Sequence, residues 1–312
     1  MTYEELLTNI ALTNEQVIVM TAENRALVRN LPPLLGKRFI DTGITEQTMI
    51  GAAAGLALRG RRPIVHALAA FLTMRAFEFV RTDVGIPALP VKLSGFIPGF
   101  LSDANGPTHQ AIEDVAIMRD IPNMTVFAPA DEDDLIQMLQ QIWESPQPAY
   151  VRINTRKSGY SHAPFELGKA EVISSGHDVT LLTYGLLFEQ ALIAMHMLQR
   201  EGLSVGLINM RSLKPVDEQA ILQAAAGSEL LVTVEDHFLT GGLYSIVAEV
   251  LLKHQTTARV LPMALNERWF KPALLPDVLQ YEGFTGKQIA ETILGYQTQY
   301  QQPDILKPQF AE

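Results

Sequence analysis

Short runs of consecutive apolar residues recur along the chain and alternate with longer stretches in which apolar positions return with helical period. The runs predict strands at Val17–Thr21, Arg38–Asp41, Pro63–Leu68, Pro90–Ser94, Thr125–Ala128 and Ala149–Ile153. The stretches between them predict helices over Ile44–Leu58, Phe71–Val84, Ile112–Met118 and Glu132–Trp143. Strands that are apolar throughout, rather than alternating, are covered on both faces. The pattern therefore predicts an α/β fold with a mostly parallel sheet between helical layers.

Both periods fade through Asn154–Gly168 (NTRKSGYSHAPFELG), a polar stretch with Gly and Pro that reads as a linker. A second alternating set follows, with strands at Val179–Thr183, Ser204–Asn209, Leu230–Val234 and Ala258–Leu261. Its helices fall near Phe188–Arg200, Val216–Ala225, Leu243–His254 and Gly286–Leu294. The division is put at residues 1–158 for the first domain, 159–172 for the connection and 173–312 for the second. Both domains are expected to be doubly wound.

Composition narrows the functions available. The 312 residues suit two domains of ordinary size, and 47% hydrophobic residues suit a substantial core. A net charge of −10 disfavours nucleic acid and anionic membranes as partners. The absence of cysteine excludes disulfides, thiolate catalysis and zinc–cysteine sites. The start, MTYEELLTNIALTNEQ, lacks the basic and apolar regions of a signal peptide, and no apolar run is long enough for a bilayer. A cytoplasmic location is expected.

Three places carry the main candidate chemistry, and three more carry less weight. In GITEQTMIGAAAGLALRG, Glu46 opens a helix of small and apolar residues, with Thr45 as a possible cap. An acid in a first helical turn is explained by the macrodipole alone. A helix this poor in bulk must also press close to another backbone, and desolvation would make its carboxylate a candidate proton donor or acceptor. In NGPTHQ, Gly106 and Pro107 form a tight turn and His109 sits where the next helix is expected to begin, as a cap, a surface residue or a site residue. In FLTMRAF, Phe71, Met74 and Phe77 share one helical stripe, the usual sign of core. His66 reads as pocket wall or core. Asp236–His237 reads as a turn and helix start or as a contact near the substrate channel, and Asp131–Asp134 (DEDD) as a solvated helix N-terminus.

The order and spacing of DTGITEQTMIGAAAGLALRG, FLTMRAF, NGPTHQAIED, MRDIPNM, APAD and VEDHFLTGGL resemble the C-terminal half of a transketolase. The resemblance covers nearly the whole chain and implies a thiamine-diphosphate pyrimidine-binding domain followed by a transketolase C-terminal domain. The β subunits of 2-oxo acid dehydrogenases and the deoxyxylulose-phosphate synthases share this architecture. The GPTHQ turn favours the transketolase and synthase side.

By this resemblance Glu46 hydrogen-bonds N1′ of the cofactor's aminopyrimidine and favours the imino tautomer, whose nitrogen takes the proton from C2 of the thiazolium. Phe71, Met74 and Phe77 wall the pyrimidine, with Met74 standing where an aromatic residue is usual. Glu23 matches an acid near the cofactor. His109 matches a His near the cofactor amino group and the donor sugar, serving catalysis and substrate binding. No GDG motif occurs anywhere in the chain, so the diphosphate and its Mg2+ are expected from a separate subunit carrying GDG and a downstream Asn. This implies an α2β2 heterotetramer with this chain as β, and no metal ligands of its own.

The substrate side departs from the family pattern. Ile97 stands at a substrate-contacting His, Asn105 at an Asp that meets the C2 hydroxyl, and Leu27 at a phosphate-contacting Ser, while Arg156 is retained from the phosphate clamp. The implied activity is ketol transfer from a ketose-type donor to an aldehyde at an atypical site. A synthase, a dehydrogenase E1 β-type subunit and a non-catalytic regulatory partner are the alternatives.

Overall fold

The computed structural model describes residues 1–300; the tail of the second predicted domain, 301–312, lies outside the described residues. The first sheet takes β1 (Val17–Thr21), β2 (Phe39–Asp41), β3 (Arg62–Leu68), β4 (Lys92–Phe96), β5 (Thr125–Phe127) and β6 (Ala149–Ile153). The second takes β7 (Glu171–Ser174), β8 (Val179–Thr183) and β9 (Val205–Asn209), then β11 (Leu230–Phe238) and β12 (Val260–Leu265). Between them in sequence, β10 (Ser212–Lys214) crosses back and pairs antiparallel with β5. The sheet orders are β10-β5-β6-β4-β3-β1-β2 and β12-β11-β8-β9-β7. Apart from β10 and β7, every pairing is parallel, as the continuous apolar runs predicted.

The two halves are knitted together more closely than a polar linker suggests. The 154–168 stretch forms no helix or strand, yet His162 and Phe165 are buried. His162 sits between Asp131 (3.1 Å) and Glu171 (2.8 Å), and Arg211 pairs with both Asp134 and Glu171 at 2.9 Å. Burial opposes the charged imidazole, but the two carboxylates prevail and raise His162 to about 9. The solvated reading of Asp131–Asp134 is therefore corrected: only Asp133 is exposed, Asp131 caps the Glu132–Glu144 helix through the Asp134 N–H, and Asp134 faces Arg211.

The turn reading of Asp236–His237 is corrected as well. β11 runs on to Phe238, so both residues lie buried on a strand end against the first domain. Asp236 pairs with Arg152 at 2.7 Å, and His237 Nε2 accepts from the Ala116 N–H at 3.3 Å. Their neighbour Glu235 accepts the Leu243 and Tyr244 N–H groups at the start of the Leu243–Lys253 helix.

Burial, the dominant influence, lifts Glu235 to about 7 against those hydrogen bonds. A carboxyl raised in the folded state stabilises the protein below its unfolded pKa of about 4.5, and that contribution is lost as pH rises through about 7. Glu235→Gln is expected to flatten the fall in melting temperature between pH 4.5 and 7. An unchanged slope in a pH series of thermal melts would remove Glu235 as its source.

His66 is core, as expected. Its Nε2 meets the Tyr3 hydroxyl at 2.7 Å and its Nδ1 meets the Met20 carbonyl at 3.1 Å.

Candidate active site

Loops leaving the C-terminal ends of four parallel strands converge on one cavity of about 430 Å3. Ala22–Ala26 and Arg29 follow β1, Ile44 and Glu46 follow β2, Leu68 and Phe71 end and follow β3, and His109 lies on the long excursion after β4. β1 passes to β2 on one side, and the chain then returns across it to β3 on the other. Open α/β sheets place their binding crevice at such a reversal.

Glu46 is 2% exposed, the first residue of the Glu46–Leu58 helix. Thr45 does not cap this helix; its hydroxyl donates to the Thr42 carbonyl at 2.8 Å. The small residues 51–55 let the helix lie against β3, and Ala53 and Ala54 are buried there. Arg75 donates to Glu46 Oε2 at 3.0 Å, the one hydrogen bond this carboxylate makes among the described residues, which leaves Oε1 open.

Arg75 lies within FLTMRAF, on which the apolar stripe is the only pattern that spacing reveals. That stripe is also corrected. Residues 71–75 and 80–85 are wound as wider π turns, the first closed by the Ala76 N–H to the Phe71 carbonyl at 3.2 Å. The extra residue per turn rotates Phe77 off the face that Phe71 occupies. Phe71 and Met74 pack with Ala69, Ala70 and Ala111, whereas Phe77 joins the large core shared by both domains. Of the three, only Phe71 lines the cavity.

His109 lies on a single 3-10 turn, Pro107–His109, not at a helix start; the next helix begins at Asp114. Its ring meets Phe71 edge-on at 4.9 Å, and its Nδ1 lies 2.9 Å from the Thr108 hydroxyl. Glu23 lines the cavity with a left-handed backbone, φ 69°, a conformation costing about 1–3 kcal/mol for a residue other than glycine. Asp41 holds that loop by accepting from the Glu23 and Gly43 N–H groups at 3.0 Å and from Arg25 at 2.8 Å. Burial works upward on the Asp41 carboxyl, but these donors together hold it below its ordinary value. Nothing in the sequence singled out Asp41, because a strand-terminal acid has no distinctive spacing.

The predicted substrate residues are not brought together in this chain. Ile97 and Asn105 lie outside the cavity wall, Asn105 turned back onto the Ser102 carbonyl. Arg156 lines a separate cavity of about 270 Å3 with Leu186, Glu189 and Leu275.

The chain matches the family model for the transketolase pyrimidine-binding domain over residues 1–159 and that for the transketolase C-terminal domain over 168–289. It belongs to the transketolase family. It is 36% identical over 255 residues to the 6-deoxy-6-sulfo-D-fructose transketolase subunit SqwH of a Clostridium species, covering 80% of this chain and 79% of that one. It is 34% identical over 263 residues to the 1-deoxy-D-xylulose-5-phosphate synthase of Dictyoglomus thermophilum, covering 83% of this chain but 42% of the synthase. A solved structure described as a split gene transketolase, inactive beta4 tetramer, superimposes with a TM-score of 0.84 at 31% identity, covering 95% of this chain and 96% of that one. Thiamine diphosphate dependence and ketol transfer go with this family, and the chain corresponds to a split transketolase subunit.

The residues present fit one end of thiamine diphosphate. A buried carboxylate with an open oxygen, an aromatic ring and an apolar wall suit an aminopyrimidine. Among the described residues no group of three or more acidic or histidine side chains is placed to hold a metal ion.

Proposed function

We propose that this chain is the β-type subunit of a two-subunit, thiamine-diphosphate-dependent transketolase, transferring a two-carbon ketol unit from a ketose-type donor to an aldehyde. The observation that carries this reading is the open oxygen of buried Glu46, set in one cavity with Phe71 and His109. When bound, the cofactor supplies the nucleophilic carbon; the protein tunes and positions it. Glu46 Oε1 would hold the proton at N1′ of the pyrimidine. Phe71 would support the ring. His109 Nδ1 faces Thr108 and its Nε2 has no hydrogen-bond partner among the described residues, so it would exchange a proton with a substrate hydroxyl at the mouth. Glu23 would border the ring from the β1 loop.

A partner subunit carrying the GDG motif would bring the diphosphate and Mg2+, in an α2β2 assembly. The lost Ser position at Leu27 and the separate place of Arg156 weaken any grip on a terminal phosphate ester. The relative named for 6-deoxy-6-sulfo-D-fructose makes a ketose without that ester a candidate donor here. The synthase relatives support a second reading, in which a 2-oxo acid is the donor.

Affinity purification of the tagged chain from its host tests the proposal. A stoichiometric partner with GDG, bound thiamine diphosphate, and ketol transfer from sugars but not from 2-oxo acids are expected. Turnover confined to 2-oxo acid donors would favour the second reading. Recovery of the chain in a stable complex without cofactor or partner motif would overturn both.

A further inference from the structure

We infer that Arg75 is a positioning residue for the proposed reaction: its guanidinium fixes Glu46 through Oε2 and braces Phe71 through the ring face, leaving Glu46 Oε1 to address the pyrimidine. The inference rests on the functional reading above and adds a residue to it. Arg75 touches neither the cofactor nor the reacting atoms in this role; it acts through Glu46 and Phe71.

The geometry is continuous. Glu46 and Arg75 meet at 3.0 Å, the Arg75 guanidinium carbon lies 3.9 Å from the Phe71 ring centroid, and Phe71 meets His109 at 4.9 Å. Arg75 thus joins the buried carboxylate to the aromatic wall, and that wall leans on the histidine. A glutamate carboxyl has several rotatable bonds, and Glu46 has no other hydrogen-bond partner among the described residues to select one orientation. Glu46 is also the only carboxylate that Arg75 pairs with among the described residues. Phe71 and Arg75, four residues apart, lie along one side of their helical turn, so one planar cation reaches both the ring and the carboxylate. A lysine, a compact point charge on a flexible stem, meets only one of these demands at a time. With 39% of its side chain exposed, Arg75 is not needed to fill a core.

The decisive experiment uses Arg75→Ala in the complex with the partner subunit. We expect kcat to fall about 10–100-fold while the KM of the ketose donor shifts less than about threefold, since an orientation effect is felt in the transition state. Guanidinium chloride at tens of millimolar should restore turnover several-fold, because the side chain lies near solvent, whereas urea at the same concentration should not. Arg75→Lys should recover only part of the loss, and guanidinium should do nothing for the Glu46→Gln/Arg75→Ala double variant. Wild-type kcat in Arg75→Ala overturns the inference, as does a rescue that urea or the double variant reproduces.

Failure of the functional reading shows separately, as a wild-type complex that binds no thiamine diphosphate in an equilibrium titration. The isolated chain then decides the pairing by thermal melts. Arg75→Met should lower the melting temperature by a few degrees by leaving buried Glu46 uncompensated, and a second change, Glu46→Gln, should restore it. Additive effects of the two changes overturn the pairing.

Discussion

Glu46→Ala is expected to lower turnover of the assembled enzyme by about 10²–10⁴-fold, the span that a positioned proton-transfer group supplies. Glu46 is buried, its Oε2 is taken by Arg75, and its open Oε1 belongs to the cavity that suits the pyrimidine. Removing the carboxylate leaves no other acid at that depth, because Glu23, the second carboxylate of the wall, is exposed on the rim. Glu46→Gln should lose nearly as much activity while keeping the side-chain volume, so its melting temperature separates lost chemistry from lost folding. Steady-state kinetics with a competent partner, alongside cofactor titrations, make the measurement. Equal turnover in wild type and both variants would sink the catalytic assignment and leave this chain as a non-catalytic partner that stabilises or regulates another subunit.

Much of the fold was legible because the burial of parallel strands is written in their composition. VIVMT, PIVHAL and AYVRI are mostly apolar and buried on both faces, and each lies in the first sheet. β10 was not legible: SLK is three residues long, with a polar residue at each end, and its place beside β5 depends on a long return of the chain. β7 fails for a similar reason, as an edge strand with an exposed Val172 has no continuous apolar run.

The site divides along the same physical line. Glu46, Glu23, Phe71 and His109 lie in the connections that follow neighbouring strands, so their order in the motifs also places them on one cavity. The resemblance puts Phe71, Met74 and Phe77 on the pyrimidine wall, but the π turn carries Phe77 to the shared core, and Met74 packs beside Phe71 without lining the cavity. Arg75 and Asp41 were passed over because their roles lie in contacts across the fold, with Glu46 and with the Glu23 loop, which no spacing along the chain encodes.

Arg152→Met is expected to destabilise the protein by about 3–5 kcal/mol, the cost of breaking a buried ion pair by removing one partner. Arg152 is buried between Asp114 (3.0 Å) and Asp236 (2.7 Å), which belong to the two halves of the chain, and its face lies 5.2 Å from the Tyr184 ring centre. Asp114 Oδ1 already lacks a hydrogen-bond partner. Burial is the main force raising Asp236, and Arg152 offsets it; without the guanidinium two desolvated carboxyls face each other. At roughly 2–4 °C per kcal/mol, the melting temperature should fall by about 6–20 °C.

The loss should reach the active site as well. Arg152 also donates to the Ala111 carbonyl at 3.4 Å, Asp236 accepts the Phe100 N–H at 3.1 Å, and Gln110 donates to the Phe270 carbonyl at 2.8 Å. These contacts pin both ends of the segment that presents His109, and Gly99 at its start leaves no room for a side chain: a Cβ there would lie 1.8 Å from Asp236. The second domain therefore acts as the support of the His109 segment. Arg152→Met should depress kcat even at temperatures where the fold persists, and Asp236→Asn, which keeps the volume, should do so more mildly. A melting temperature within about 1 °C of wild type in Arg152→Met would show that Asp114 and Asp236 are neutralised some other way, and the coupling between domains would then have to be sought in the apolar core they share.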